Sequence, residues 1–298
     1  MQASFDCLII GGGPAGLMAA IYLARFRRKV CLVDAGQSRA ALIPRSHNVA
    51  GFAHGLSGSE LLARMQQQVS DLGVPMIKAE VAALGQNGGS FSAAWDRGEA
   101  RASAVILASG IVDTQPPFTD WETAVRDGLL RYCPICDAFE ATGKRIAVIG
   151  PWQHSAGKAL FLRDYSRDVT LLTTDELPQG EVAGRLVAAG VGMLMAPRPR
   201  LSRRGNRVQV MSDSAELAEF DVLYPAMGAD VRSNLALALG AAHDRGAFLK
   251  VDDHQRSTVS NLYGIGDVVT DLHQIAVAFG HAAVAACAIH NSLPRRFA

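Results

Sequence analysis

The stretch DCLIIGGGPAGLMAAIYLARFRRKVCLVD, from Asp6 to Asp34, decides the fold. Asp6 to Ile10 is a short, mostly apolar run that stops at glycines, the pattern of a buried parallel strand. Pro14 to Phe26 has helical periodicity, and Lys29 to Val33 reads as the next strand. The segment is therefore a βαβ unit. Gly11, Gly13 and Gly16 form G-x-G-x-x-G in its first turn. In such a turn the first glycine makes the bend and the second lets a pyrophosphate approach the backbone. The third lets helix and strand pack closely. The helix start offers N–H groups and a positive dipole end to phosphates. Asp34 ends the second strand at the spacing that suits hydrogen bonds to ribose hydroxyls.

A second stretch, RIAVIGPWQHSAGKALFLRDYSRDVTLLT from Arg145 to Thr173, aligns with the first without a gap. Gly11 meets Gly150, Gly13 meets Trp152, Gly16 meets Ser155 and Asp34 meets Thr173. The frame is repeated without the residues that grip a dinucleotide. An indole at Trp152 takes the space a phosphate would need, and Pro151 removes a backbone N–H. After the strand come Thr173, Thr174, Asp175 and Glu176, with no Arg to pair a 2′-phosphate.

Before the second stretch lies CPICD, Cys133 to Asp137. C-x-x-C spacing lets two thiols close a small ring and lowers the pKa of one of them. Zinc is the rival reading, but it normally takes four ligands. Cys7 and Cys31 fall on buried strands and Cys287 on a late helix, so all three read as core residues. Asp137 is placed to carry a proton to or from a thiol, or to cap a helix start.

The 298 residues suffice for two domains. Lys plus Arg number 29 and Asp plus Glu 28, so no nucleic-acid partner is implied. Basic runs near Arg25 to Lys29 and Arg198 to Arg207 read as solvated surface. No apolar run is expected to approach the length a membrane span needs, and the N-terminus lacks the layout of a signal peptide. The expected location is cytoplasmic, where a disulfide implies a catalytic cycle.

Leu42 to Ser59 reads as irregular, Gly58 to Leu72 as helix, and Val74 to Val105 as strands with a turn at Asn87 to Ser90. The segment from Ala247 to Val268 reads as further strands, and His273 to Leu293 as an Ala-rich helix. The expected fold class is α/β, with two Rossmann-like, three-layer ββα domains, the second inserted in the first. The boundaries expected are 1–112 with 243–298 for the first domain and 113–242 for the insert.

FAD is favoured over NAD at the intact loop. That loop lies within the first twenty residues, and Gly264-Ile-Gly-Asp267 reads as a second flavin-domain motif. The helix near His273 would aim its positive end at the flavin.

With GGGPAG (Gly11 to Gly16), ASG (Ala108 to Gly110), CPICD, GIGD and HQIA (His273 to Ala276), the chain resembles the low-molecular-weight thioredoxin reductases. These are class II pyridine nucleotide-disulfide oxidoreductases, and the resemblance spans nearly the whole chain. It implies a homodimer, a flavin held around Gly11, Gly13, Pro14, Ala15, Gly16, Asp34, Val81, Ser109, Gly110, Gly266 and Asp267, and Gln274 and Ile275 at the pyrimidine edge. It implies Asn48 and Gly51 near the isoalloxazine, although Ala50 stands where relatives commonly carry Pro. It also implies a redox Cys133–Cys136 disulfide, with Cys136 facing the flavin, Cys133 attacking the substrate disulfide and Asp137 as proton donor.

The expected function is FAD-dependent thiol–disulfide exchange with a thioredoxin-like protein or a small dithiol, with NADPH doubtful. Electrons would come from a ferredoxin-like protein, or from a substrate dithiol with oxygen as acceptor. The alternatives are an ordinary NADPH-dependent thioredoxin reductase and a non-catalytic flavin sensor.

Overall fold

The structure is a computed structural model that describes residues 4–212 and 215–295. It divides into two compact units. The first comprises Met1–Ala41, Ser57–Val112 and Asp230–Ala298, and the second Leu42–Leu56 and Asp113–Ala229.

The first unit opens with β1 (Ser4–Ile10), α1 (Pro14–Arg25) and β2 (Val30–Asp34). α1 starts where Pro14 takes the first helical position after Gly13, a place where its missing N–H costs nothing. α2 (Gly58–Asp71) is capped by Ser57, whose Oγ accepts the Glu60 N–H at 3.1 Å. It buries Leu61, Leu62, Met65 and Val69 at helical spacing. Then follow β3 (Met76–Lys78), β4 (Ala83–Asn87), β5 (Ser90–Trp95), β6 (Gly98–Leu107) and the short β7 (Ile111–Asp113). The β4–β5 turn falls at Gly88 and Gly89, both with positive φ.

The second unit holds α3 (Trp121–Arg126), α4 (Pro134–Asp137), β8 (Ile146–Gly150), α5 (Trp152–Leu162) and β9 (Val169–Thr173). It continues with α6 (Gly180–Ala188), β10 (Gly192–Met195), β11 (Pro199–Arg204), β12 (Arg207–Ser212), β13 (Ala215–Phe220) and β14 (Val222–Pro225). The chain then passes through β15 (Ala229–Val231) into α7 (Asn234–Leu237), β16 (Leu262–Gly264) and α8 (Ile275–Ser292).

The first unit's sheet runs β3-β2-β1-β6, with β16 also on β6, all parallel; β5 and β4 continue it antiparallel. The second unit has a parallel sheet, β10-β9-β8-β14, and an antiparallel one, β11-β12-β13. In the parallel sheet, β8 reads as an unbroken apolar run because both its faces are covered. The expected α/β class, with two Rossmann-like units, is what the structure shows.

Several details differ from the sequence reading. The return to the first unit comes at Asp230, not near 243, because Leu235, Ala236 and Leu237 pack into the first unit's core with Leu84 and Leu249. Leu42–Leu56 groups with the second unit. It is a loop closed on itself by Ser46 and Leu56, and it is tied to that unit by His47 and Glu140. Between Ala247 and Val268 only β16 is a strand; the rest is turns and isolated bridges. Cys287 is exposed rather than core, whereas Cys7 and Cys31 are buried. α8 has the length and apolar character of a membrane span, which the sequence reading did not credit. It packs along α1 with Ala282, Ala285, Ala286 and Ile289 buried.

Candidate functional site

The first unit gathers its glycine motifs at the C-terminal ends of β1, β6 and β16. Gly11 turns with φ +107, and a Cβ on it would sit 2.3 Å from the Ala108 carbonyl oxygen. A Cβ on Gly16 would lie 1.9 Å from the Gly11 oxygen, so helix and strand touch there. Gly12 is equally constrained, since its Cβ would lie 2.6 Å from the Asp34 carboxylate carbon. That contact exists because the Gly12 N–H donates to Asp34 Oδ1 at 2.9 Å. The G-x-G-x-x-G pattern gives no signal for this middle position. Gly13 has the most room, with only Ser38 Oγ within 4 Å, at 3.2 Å.

Gly266 has φ +71, and a Cβ there would lie 2.9 Å from the Ala15 Cβ. Motifs from the two ends of the chain thus meet. Asp267 is 3.9 Å from Arg39, and the Gly266 N–H donates to His281 Nδ1 at 3.3 Å. Burial lowers the His281 pKa, with Asp267 pulling the other way. That keeps the ring in the neutral form that can accept this bond. Gln274 precedes the first turn of α8 and Ile275 begins it. Ser109 Oγ donates to the Arg232 carbonyl at 2.5 Å, and Gly110 takes φ +65. Val81 lies in the buried core of this unit. Asn48 and Gly51 lie in the Leu42–Leu56 loop of the second unit, where Ser46 Oγ donates to Asn48 Oδ1 at 2.8 Å.

The second unit repeats the frame with different contents. Gly150 takes φ +149, and its Cβ would sit 2.3 Å from the Ala226 oxygen, as at Gly11. Ser155 occupies the Gly16 position. It is buried, and its Oγ donates to the Pro151 carbonyl at 2.8 Å and the Gly150 carbonyl at 3.3 Å. Thr173, in the Asp34 position, is buried and donates to Asp175 Oδ1 at 2.6 Å and to the Glu176 carbonyl at 2.8 Å. The Thr173 hydroxyl, opposed by burial and helped by nearby backbone N–H groups, holds the Asp175 carboxyl below its ordinary pKa. The Trp152 indole N–H donates to Glu176 Oε1 at 3.4 Å. The start of α5 is therefore met by the chain's own carboxylates.

Cys133 and Cys136 are joined as a disulfide, with Cα atoms 5.3 Å apart. Pro134 begins the single helical turn between them, and the Cys136 N–H returns to the Cys133 carbonyl at 3.0 Å. Tyr224 Oη donates to Asp137 Oδ1 at 2.9 Å, and Arg131 Nη1 lies 3.6 Å from Oδ2. Burial raises the Asp137 pKa to about 6, with Arg131 and Tyr224 opposing it. His47 Nδ1 meets Glu140 Oε1 at 2.9 Å, while Glu140 Oε2 is buried with no hydrogen-bond partner among the described residues. Burial pushes the thiol of Cys31 up to about 11 and that of Cys7 higher still, so neither matches a reactive thiol.

A family model described as pyridine nucleotide-disulphide oxidoreductase matches residues 5–282. The chain belongs to that family. It is 28% identical over 290 residues to a thioredoxin reductase of Mycolicibacterium smegmatis, covering 93% of this chain and 92% of the other. It is 28% identical over 313 residues to a ferredoxin–NADP reductase of Granulibacter bethesdensis, covering 96% and 88%. Among solved structures, one titled as the crystal structure of HlmI superposes with a TM-score of 0.89 at 26% identity, covering 97% of this chain and 92% of that one. The protein is a thioredoxin reductase-like, FAD-dependent disulfide oxidoreductase.

The residues present fit the FAD that the family implies. The bare glycine loop, an α1 start that Gly13 leaves without a side-chain cap, and Asp34 at the end of β2 suit its adenosine diphosphate portion. The Gly266–Asp267 turn packed on Ala15 extends the same surface.

Proposed function

We propose that this enzyme moves an electron pair between bound FAD and the Cys133–Cys136 pair, and on to or from a dithiol or disulfide, without using NADPH. The observation that carries the last clause is the start of α5. Glu176 accepts the Trp152 indole N–H, and Asp175, held by the Thr173 hydroxyl, is its neighbour in the chain, where a pyrophosphate needs free donors. Two carboxylates there repel a nucleotide's phosphates, and the indole stands where the corresponding loop residue is Gly13.

Bound FAD supplies the store for two electrons. In the oxidising direction a substrate thiolate attacks the Cys133 sulfur, and the Cys133–Cys136 bond breaks. Cys136 leaves as a thiolate and takes a proton from Asp137. The second substrate thiol loses its proton to solvent and attacks the mixed disulfide at the substrate sulfur. This releases an oxidised substrate and a Cys133 thiolate. The reverse sequence reduces a disulfide. A thioredoxin-like protein and a small dithiol both suit this chemistry. A ferredoxin-like donor or oxygen as acceptor closes the cycle, and the enzyme is cytoplasmic and a homodimer in this reading. The rival, an NADPH-dependent thioredoxin reductase, draws on the preserved β8–Gly150–α5 frame and on the names of relatives.

The experiment is anaerobic. Oxidised holoenzyme is mixed separately with NADPH, NADH, reduced ferredoxin and dithiothreitol while the flavin band is followed. Bleaching by ferredoxin or dithiol, with both nucleotides inert, is the expected result. Rapid bleaching by micromolar NADPH or NADH rejects the nucleotide-independent reading.

A further inference from the structure

We propose that Arg131 and Tyr224 are positioning residues for the proton carried by Asp137, and that they set the pH range over which the Cys133–Cys136 pair exchanges with thiols. This rests on the thiol–disulfide reading above.

The geometry is built from β14. Its Leu223 bridges Leu130 in parallel, the Leu223 N–H donates to the Leu129 carbonyl at 2.8 Å, and the Arg131 N–H donates to the Leu223 carbonyl at 3.0 Å. The strand Val222–Pro225 and the extended piece that runs into the Cys turn thus lie side by side. Tyr224 points to the face that holds Ala138 and Ala141, with its ring in their buried cluster. A buried tyrosine seeks a partner for its hydroxyl, and this one finds Asp137 Oδ1 at 2.9 Å. Arg131 is fixed at both ends of its guanidinium. Nε donates to the Gly128 carbonyl at 3.2 Å, and Nη1 donates to the Asp137 carbonyl at 3.0 Å while facing Oδ2 at 3.6 Å.

Each partner serves a proton that comes and goes. The Tyr224 hydroxyl donates to the ionised carboxylate, and by rotating it accepts from the protonated one. Arg131 favours the charged form, and burial favours the neutral one. The opposition leaves the group titrating at about 6 rather than 3.8. The other charges that bear on it are Glu140, which raises it, and Lys144, which lowers it. Glu140 is itself paired with His47 from the Leu42–Leu56 loop. Thiolates formed on reduction of Cys133 and Cys136 add negative charge beside it and raise it further. When the Cys133–Cys136 bond breaks under thiolate attack, its electron pair leaves on Cys136. The Asp137 proton neutralises that sulfur, and on re-closure the carboxylate takes the proton back.

The test is anaerobic flavin bleaching of holoenzyme by saturating dithiothreitol, read between about pH 5 and 8. Wild type should show an inflection near 6. Arg131→Gln should move it up by about one pH unit, a tenfold change in proton affinity. Tyr224→Phe, which keeps the buried ring, should move it up by about half as much. Asp137→Asn should abolish it. The direction of the shift is the same whether turnover needs the acid or its conjugate base. Flavin content and melting temperature are read on every variant. A folded variant that loses rate equally at every pH, with the inflection in place, reduces that residue to a structural role and overturns the proposal. So does an inflection that survives Asp137→Asn. If Tyr224→Phe does not fold, Arg131→Gln decides alone. Wild type that dithiothreitol cannot bleach at any pH rejects the thiol reading instead, and this proposal with it.

Discussion

His47 Nδ1 and Glu140 Oε1 stand 2.9 Å apart, which fastens the Leu42–Leu56 loop to the turn that follows the cysteine pair. Both side chains keep some contact with water, 40% and 29% exposed, so the pair is worth little in stability, about 0.5 kcal/mol. Its larger effect is on local order. His47→Ala should leave the melting temperature nearly unchanged and speed proteolytic cleavage between Arg45 and Gly55. Cleavage rates equal to wild type would mean the loop is held by other contacts.

Gly16 and Ser155 hold equivalent stations with opposite tolerances. Gly16→Ala would put a methyl 1.9 Å from the Gly11 oxygen, and the backbone must move. We expect a loss of about 2–3 kcal/mol and protein that purifies with little flavin. Ser155→Ala removes only the hydroxyl that donates to the Pro151 and Gly150 carbonyls, and should cost about 1 kcal/mol with flavin retained. Thermal melts and the ratio of flavin to protein absorbance check both.

Asp137 sets a stability cost with a defined sign. Its folded pKa is raised from 3.8 to about 6, so the native protein keeps a proton that the unfolded chain has released. Stability falls as pH rises through that window, and the full cost is present above it. Asp137→Asn keeps an acceptor for Tyr224 and carries no charge. It should melt higher than wild type at pH 7.5, by on the order of 1 kcal/mol, and the gap should narrow toward pH 4.5. A gap that widens on acidification contradicts this assignment.

The two cysteines should behave differently on substitution. Cys136→Ser leaves Cys133 without its resolving partner, so a substrate disulfide attacked by Cys133 should stay attached as a mixed disulfide. Mass spectrometry of the variant after incubation with a linear disulfide such as glutathione disulfide, whose leaving thiol departs, reads the adduct directly. Cys133→Ser should give none. An adduct on Cys133→Ser alone would exchange the two roles.

Much of the site is legible in the chain because its determinants are local. Gly11, Gly13, Gly16 and Asp34 sit within one βαβ unit, and Cys133 and Cys136 within one helical turn. The loss of Gly13 and Asp34 at Trp152 and Thr173 is visible by alignment alone. What the sequence hides is fixed by distant contacts. Nothing near Asp137 announces Tyr224, which arrives on β14, or marks Arg131 as more than a charge before the cysteines. The irregular Leu42–Leu56 loop has no periodicity, and its allegiance rests on His47 meeting Glu140. The return at Asp230 is hidden because α7 is a single turn, recognised only by Ala236 burying in the first unit's core. Cys287 lies in a helix so rich in alanine that no face stands out, which is why its exposure is unexpected.

The first unit's chain breaks off at Val112 and resumes at Asp230, and just inside those two ends the Arg232 N–H donates to the Gly110 carbonyl at 3.0 Å. Such adjacency makes the insert a cassette. A bridge of two or three residues between the stumps would reseal the flavin-binding scaffold. The excised span leaves the Leu42–Leu56 loop behind, so it could be grafted elsewhere only with that loop supplied in trans.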